Sequence, residues 1–240
     1  MSSSSKRSLT VGVLGGMGPE ATVDFMARVI AATPASCDQE HIHMLVDHNP
    51  GIPDRHAAIG GTGPDIGPEL AAMAQRLEAA GADFLVMVCN TAHAYTEGIR
   101  AAVGIPFVSI VDVVMAAVAE HPAHAVGVMA ADGCLQAGLY QQALTATGRE
   151  PLLWTTAEQQ RFMALLWRIK AGERGPELRS GLQALAASLE FAGAELLLAA
   201  CTEIPLILQQ GDTGVSMLSS TDLLVRYTVA LALATTTHEE

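Results

Sequence analysis

Positive charge is scarce in this chain of 240 residues, where 13 Lys and Arg stand against 25 Asp and Glu for a net charge of −12. That balance excludes nucleic acid and acidic membrane surfaces as partners, since both are bound through a basic face. Long apolar runs are missing too: no segment reaches the roughly 18–20 uninterrupted apolar residues of a membrane span. The N-terminal MSSSSKRS leads into LTVGVLGG, which is short, Gly-rich and without a small-x-small cleavage site. A disordered tail before a first strand is expected there, not a signal peptide. Cys37, Cys89, Cys134 and Cys201 show no CxxC or similar metal spacing and read as free thiols of a cytoplasmic protein. Lysine is limited to Lys6 and Lys170, and no motif marks a Schiff-base residue. Gly12, Gly15, Gly16 and Gly18 lack the G-x-G-x-x-G spacing and are followed at once by Pro19, which argues against a dinucleotide loop.

Half of the residues are hydrophobic, enough to bury a sizeable core in one large domain or two small ones. They are also arranged twice. GADFLVMVCNTAH at 81–93 matches GAELLLAACTEIP at 193–205, with Gly81 on Gly193 and Cys89 on Cys201, a separation of 112 positions. LTVGVLGGMGPEATVDFMARV likewise matches HAVGVMAADGCLQAGLYQQAL, with Val11-Gly12-Val13 on Val126-Gly127-Val128 at an offset of 115. Two matches at nearly one spacing indicate a duplicated unit.

Within each copy, short apolar runs alternate with helical periodicity, the pattern of a parallel α/β sheet. Strands are expected at the LTVGVLGG run, HIHMLVDH, the run ending at Cys89, and IPFVSIV; helices are expected after Pro19, over PELAAMAQRLEAA, from about Thr91 to Val103, and from Val113. A last helix, TDLLVRYTVALALA, has the apolar face needed to return to the first half. The expected fold is two similar three-layer α/β/α halves related by a pseudo-twofold, with the active site in the cleft between them. Residues 1–113 with 217–240 form one half, and 114–216 the other.

Ligands of open parallel sheets bind beyond the carboxyl ends of the strands, where both Cys89 and Cys201 stand. A cysteine ending a strand and opening a helix is near backbone N–H groups and the positive helix end, which favour the thiolate. Asn90, Thr91 and Thr202 follow the thiols directly and are candidate donors to a substrate carboxylate, with Glu203 beside them. The turn at Met17 and Gly18 brings further backbone N–H groups. His41 and His43 share one strand face but have no third ligand at a convincing spacing, so no metal is expected. His93 is placed either to orient the Cys89 loop or to make a structural hydrogen bond.

GGMGPEAT at 15–22, IPDR at 52–55, CNTAH at 89–93 and CTEIP at 201–205 together resemble the aspartate/glutamate racemase family, over about Val11 to Tyr227. The resemblance implies cofactor-independent racemisation, with Cys89 and Cys201 exchanging the roles of base and acid on opposite faces of Cα. It implies Arg55 and Lys170 as receptors for a side-chain carboxylate, hence aspartate or a related acidic amino acid as substrate, and a homodimer. The chain departs from the family at Ala131-Asp132-Gly133-Cys134, where relatives often carry Thr-x-x-Thr; Ala131 lacks a donor and Asp132 adds a charge. A broad-specificity racemase, a cysteine-dependent isomerase or decarboxylase on the same scaffold, and a non-catalytic small-acid binding protein are the competing readings.

Overall fold

The computed structural model describes residues 8–234, so the expected tail over residues 1–7, with Lys6, lies outside the described residues. The chain folds as two four-stranded parallel sheets. The first has order β2-β1-β3-β4, from β1 (Val11–Gly15), β2 (Met44–His48), β3 (Phe84–Met87) and β4 (Phe107–Val108). The second repeats it as β6-β5-β7-β8, from β5 (Ala125–Ala130), β6 (Glu150–Leu152), β7 (Leu196–Ala200) and β8 (Ser216–Ser219). Both central pairs come from the duplicated segments: β1 beside β3 and β5 beside β7. The match extends to atoms. A Cβ on Gly12 would stand 2.5 Å from Leu85 Cδ2 and 2.9 Å from Ala82 Cβ, and one on Gly127 2.8 Å from Leu197 Cδ2 and 3.1 Å from Ala194 Cβ.

Helices cover both faces of each sheet. On the first, α1 (Pro19–Ala32), α5 (Ile110–Glu120) and α10 (Ser220–Leu233) bury one face, and α3 (Gly67–Ala79) with α4 (Thr96–Ala102) the other. On the second, α8 (Thr156–Lys170) and α9 (Pro176–Phe191) cover one face, and α7 (Leu139–Ala146) the other. Two short helices, α2 (Arg55–Ile59) and α6 (Asp132–Gln136), face each other across the cleft. No described helix is long and apolar enough to cross a membrane.

Helix α5 belongs to both halves. Its Ile110 and Val113 join the first core, while Val114 and Val118 join the second. The boundary expected at 113/114 therefore falls inside a shared helix, and that expected at 217 falls inside β8, whose hydrogen bonds go to β7. Helix α10 packs on α1 and α5.

Three local expectations differ from the structure. The helix foreseen over 91–103 begins as a 3-10 turn, Thr91–Tyr95, before α4. The strand read through IPFVSIV stops at Val108, because Ser109 caps α5 by accepting the Asp112 N–H at 3.2 Å. His41 and His43 precede β2 rather than lying on it.

Candidate functional site

The first turn of the chain shapes one wall of the cleft. After β1, Gly16 adopts φ +91°, and a Cβ there would lie 2.4 Å from the Asn49 backbone, so only glycine fits. The Gly16 N–H donates to Thr22 Oγ1 at 2.9 Å, and Pro19 opens α1 where its missing N–H costs nothing.

Cys201 follows β7 directly and Cys89 stands two residues beyond β3, 7% and 6% exposed. Both line a single cavity of about 300 Å³, one thiol from each half. Met17, Arg55, Asn90, Thr91, Lys170, Thr202 and Glu203 line the same cavity. Gly18 does not. It lines an adjoining cavity of about 490 Å³ that shares Arg55, Lys170 and Glu203 with the first. A Cβ at Gly18 would stand 2.7 Å from Glu203 Oε1 and 3.4 Å from Lys170 Nζ, so this glycine lets the acid–amine pair approach the turn.

Neither thiol opens an α-helix, contrary to the expectation that a helix end favours the thiolate. Cys89 leads into the 3-10 turn at Thr91–Tyr95 and Cys201 into another at Ile204–Leu206, and such short turns carry little dipole. Glu203 governs Cys201 instead. Burial first, then the adjacent carboxylate, push the Cys201 thiol well above its ordinary value, while Lys170 pulls the other way. The Cys201 Sγ–H donates to Glu203 Oε2 at 3.1 Å, and Thr202 Oγ1 donates to the same oxygen at 3.2 Å. Glu203 Oε1 accepts from Lys170 Nζ. Burial disfavours the Lys170 ammonium, but Glu203 and the thiols more than offset it, so its pKa is raised. Cys201 is thus held as a protonated thiol.

The Cys89 side is braced by neutral groups. His93 is buried and its pKa is lowered to about 4 by desolvation. Its Nε2 accepts the Ile110 N–H at 3.0 Å, so Nδ1 carries the proton and donates to Cys89 O at 2.7 Å. The imidazole straps the Cys89 backbone to the start of α5. Asn90 ties three elements together: Nδ2 donates to Ser220 Oγ at 3.0 Å, Oδ1 accepts from Tyr140, and Ser220 Oγ donates to Ala199 O at 2.9 Å.

Arg55 donates to the carbonyls of Ile52, Pro53 and Met17 at 3.2, 3.3 and 3.5 Å, and among the described residues no carboxylate lies within ion-pair distance of it. Lys170 differs, because Glu203 already neutralises it. Asp132 is exposed, held by Gln159 Nε2 at 2.7 Å, and off the cavity wall, so it does not confront a substrate there. Ala131 does line the cavity. Cys134 is buried, its thiol pushed up to about 12 by desolvation, and Cys37 is exposed away from the cleft. Sequence reasoning missed Leu166 and His56 on the cavity wall. Helical periodicity marks Leu166 only as core, and His56 gave no signal beyond its place after Arg55.

Comparison with known proteins adds an independent line. The family described as Asp/Glu/Hydantoin racemase matches residues 14–228. A broad-specificity amino-acid racemase of Bacillus subtilis, RacX, is 28% identical over 238 residues, covering 93% of this chain and 98% of the relative. Among solved structures, the aspartate racemase of Picrophilus torridus superposes with a TM-score of 0.85 at 24% identity, over 93% of this chain and 94% of that one. Glutamate racemase RacE1 of Bacillus anthracis gives 0.64 at 20% identity, over 94% and 82%.

Proposed function

The chain belongs to the Asp/Glu/Hydantoin racemase family, and from that premise we propose that it inverts aspartate, or a related acidic amino acid, by proton transfer between Cys89 and Cys201. The observation that carries this reading is the meeting of two thiols from equivalent strand ends, one per half, on one small cavity. Inversion at Cα needs a base on one face and an acid on the other, since a single residue returning its own proton regenerates the starting enantiomer. One thiolate takes the α-proton, and the opposite thiol delivers its own to the other face. Cys201, hydrogen-bonded to Glu203, is the loaded acid of the resting state. The α-proton is far less acidic than a thiol of reference pKa about 8.5. The carbanion is therefore stabilised by donors aimed at the substrate carboxylate, a role that suits Thr91, Thr202 and the second amide N–H of Asn90.

Arg55, positively charged and without a carboxylate partner among the described residues, supports an acidic side chain. A second reading, a broader substrate range, is favoured by the Lys170–Glu203 pair, which leaves Arg55 as the net charge of that wall. The B. subtilis relative is itself a broad-specificity enzyme.

Isotope exchange tests the proposal. In D₂O the purified protein is expected to place deuterium at Cα of L- and D-aspartate, and Cys89→Ser and Cys201→Ser are each expected to abolish racemisation. Full activity in either variant ends the two-thiol mechanism. Turnover of neutral or basic amino acids at rates matching aspartate selects the broader range.

A further inference from the structure

His56 is the second residue of α2 and forms part of the thiol cavity's wall. Its Nδ1 accepts the Gly133 N–H at 2.9 Å, so the ring is neutral and its single proton sits on Nε2. That bond crosses from the first half to the start of α6 in the second. The fit is close, for a Cβ on Gly133 would come within 2.9 Å of both His56 Nδ1 and the Thr91 methyl. Trp167 of α8 meets the ring edge to face, with centroids 5.9 Å apart. One nitrogen is fixed and the ring is packed, while Nε2–H has no hydrogen-bond partner among the described residues.

Position separates His56 from Arg55. Arg55 lines both cavities, whereas His56 lines only the cavity that holds the thiols. On the two-thiol reading Cα sits between Cys89 and Cys201, so His56 shares the cavity of the reacting centre and is absent from the adjoining one. Ala131, on the same wall, offers no side-chain donor. We infer that His56 is an α-carboxylate-binding residue, its Nε2–H donating to the substrate carboxylate while the Gly133 N–H holds the opposite nitrogen. The inference rests on the racemase reading above. Because negative charge grows on that carboxylate as the α-proton leaves, the hydrogen bond strengthens in the transition state, and its loss falls mainly on kcat. Protonation at Nδ1 would break the bond to Gly133. Burial opposes it most, Arg55 and Lys170 oppose it, Asp54 and Asp132 favour it, and the net effect lowers the His56 pKa.

The test compares wild type, His56→Phe and His56→Gln in the full chain, measuring melting temperature and the kcat and KM of aspartate racemisation between pH 5 and 8. His56→Phe, which neither accepts nor donates, is expected to lose roughly 10- to 100-fold in kcat/KM at similar melting temperature, the size of one hydrogen bond to a charged group. His56→Gln, which keeps one acceptor and one donor, is expected to recover most of that loss. Wild type is expected to show an added fall in kcat/KM below the ordinary histidine range that His56→Gln lacks. Wild-type kcat/KM in the Phe variant, or equal impairment in both at equal melting temperature, overturns the inference. If the Phe variant fails to fold, an acid limb in His56→Gln identical to wild type overturns it. Cys89→Ser run alongside separates the two proposals. If that variant still racemises, the two-thiol mechanism fails, and His56 is then judged by whether aspartate raises the melting temperature of wild type but not of His56→Phe.

Discussion

Cys201 and Glu203 share a hydrogen bond in which the thiol donates to Oε2 at 3.1 Å, while the other oxygen of the carboxylate accepts from Lys170. The thiol is protonated because burial and a neighbouring anion both oppose the thiolate, and the ammonium only partly offsets them. Release of that proton is therefore coupled to the charge on Glu203. The two thiols are alike in backbone and unlike in surroundings: a charged pair flanks Cys201, whereas neutral His93 and Asn90 brace the Cys89 loop.

Replacing Glu203 by Gln removes the anion but not the burial. The pH midpoint for alkylation of Cys201, read by mass spectrometry after iodoacetamide, is expected to move down while staying above that of an exposed thiol. Lys170 then loses its partner in a largely buried setting, so stability is expected to fall by on the order of 3 kcal/mol. An unmoved alkylation midpoint would assign the high thiol pKa to burial alone.

His93 predicts a pH dependence of stability. Its pKa is about 4 in the folded protein, below the ordinary histidine value near 6.5, so the unfolded chain binds the extra proton first. The stability contributed by the neutral ring is complete above about pH 6.5 and drains away as pH falls toward 4, by on the order of 3 kcal/mol in all. Urea midpoints measured from pH 7 to pH 4.5 are expected to drop more steeply for wild type than for His93→Gln. Parallel curves would contradict the neutral strap between Cys89 and Ile110.

Gly12→Ala and Gly127→Ala are expected to behave as a matched pair. Each new methyl would enter a space already filled by a leucine and an alanine from the neighbouring strand and its approach. Each is expected to cost roughly 1–3 kcal/mol through overpacking, with similar shifts in thermal unfolding. A neutral change at one site only would show that the duplicated cores have diverged in packing.

The fold was legible because its signals are local. Apolar runs alternating with helical spacing, the Pro19 helix start and the doubled Gly-Ala-to-Cys segment dictate strands and helices residue by residue, and duplication supplies the second sheet from the first. The same locality explains the errors. Ser109 ends β4 early by capping α5 through the Asp112 N–H, and the 91–103 helix starts as a 3-10 turn in which the His93 ring is tied to Ile110 of a distant element. Helix α5 is shared because its two faces meet different sheets, which no periodicity within the helix distinguishes.

By itself the sequence determined that two thiols would end two equivalent strands, with hydroxyl and amide residues beside them. Only the tertiary structure decided which charges meet there. It set Glu203 between Cys201 and Lys170, left Arg55 without a carboxylate among the described residues, moved Asp132 off the wall and brought His56 onto it. Backbone periodicity is read from neighbours in the chain. The charge and hydrogen bonding of a cleft depend on side chains from distant elements, brought together only when the two halves pack.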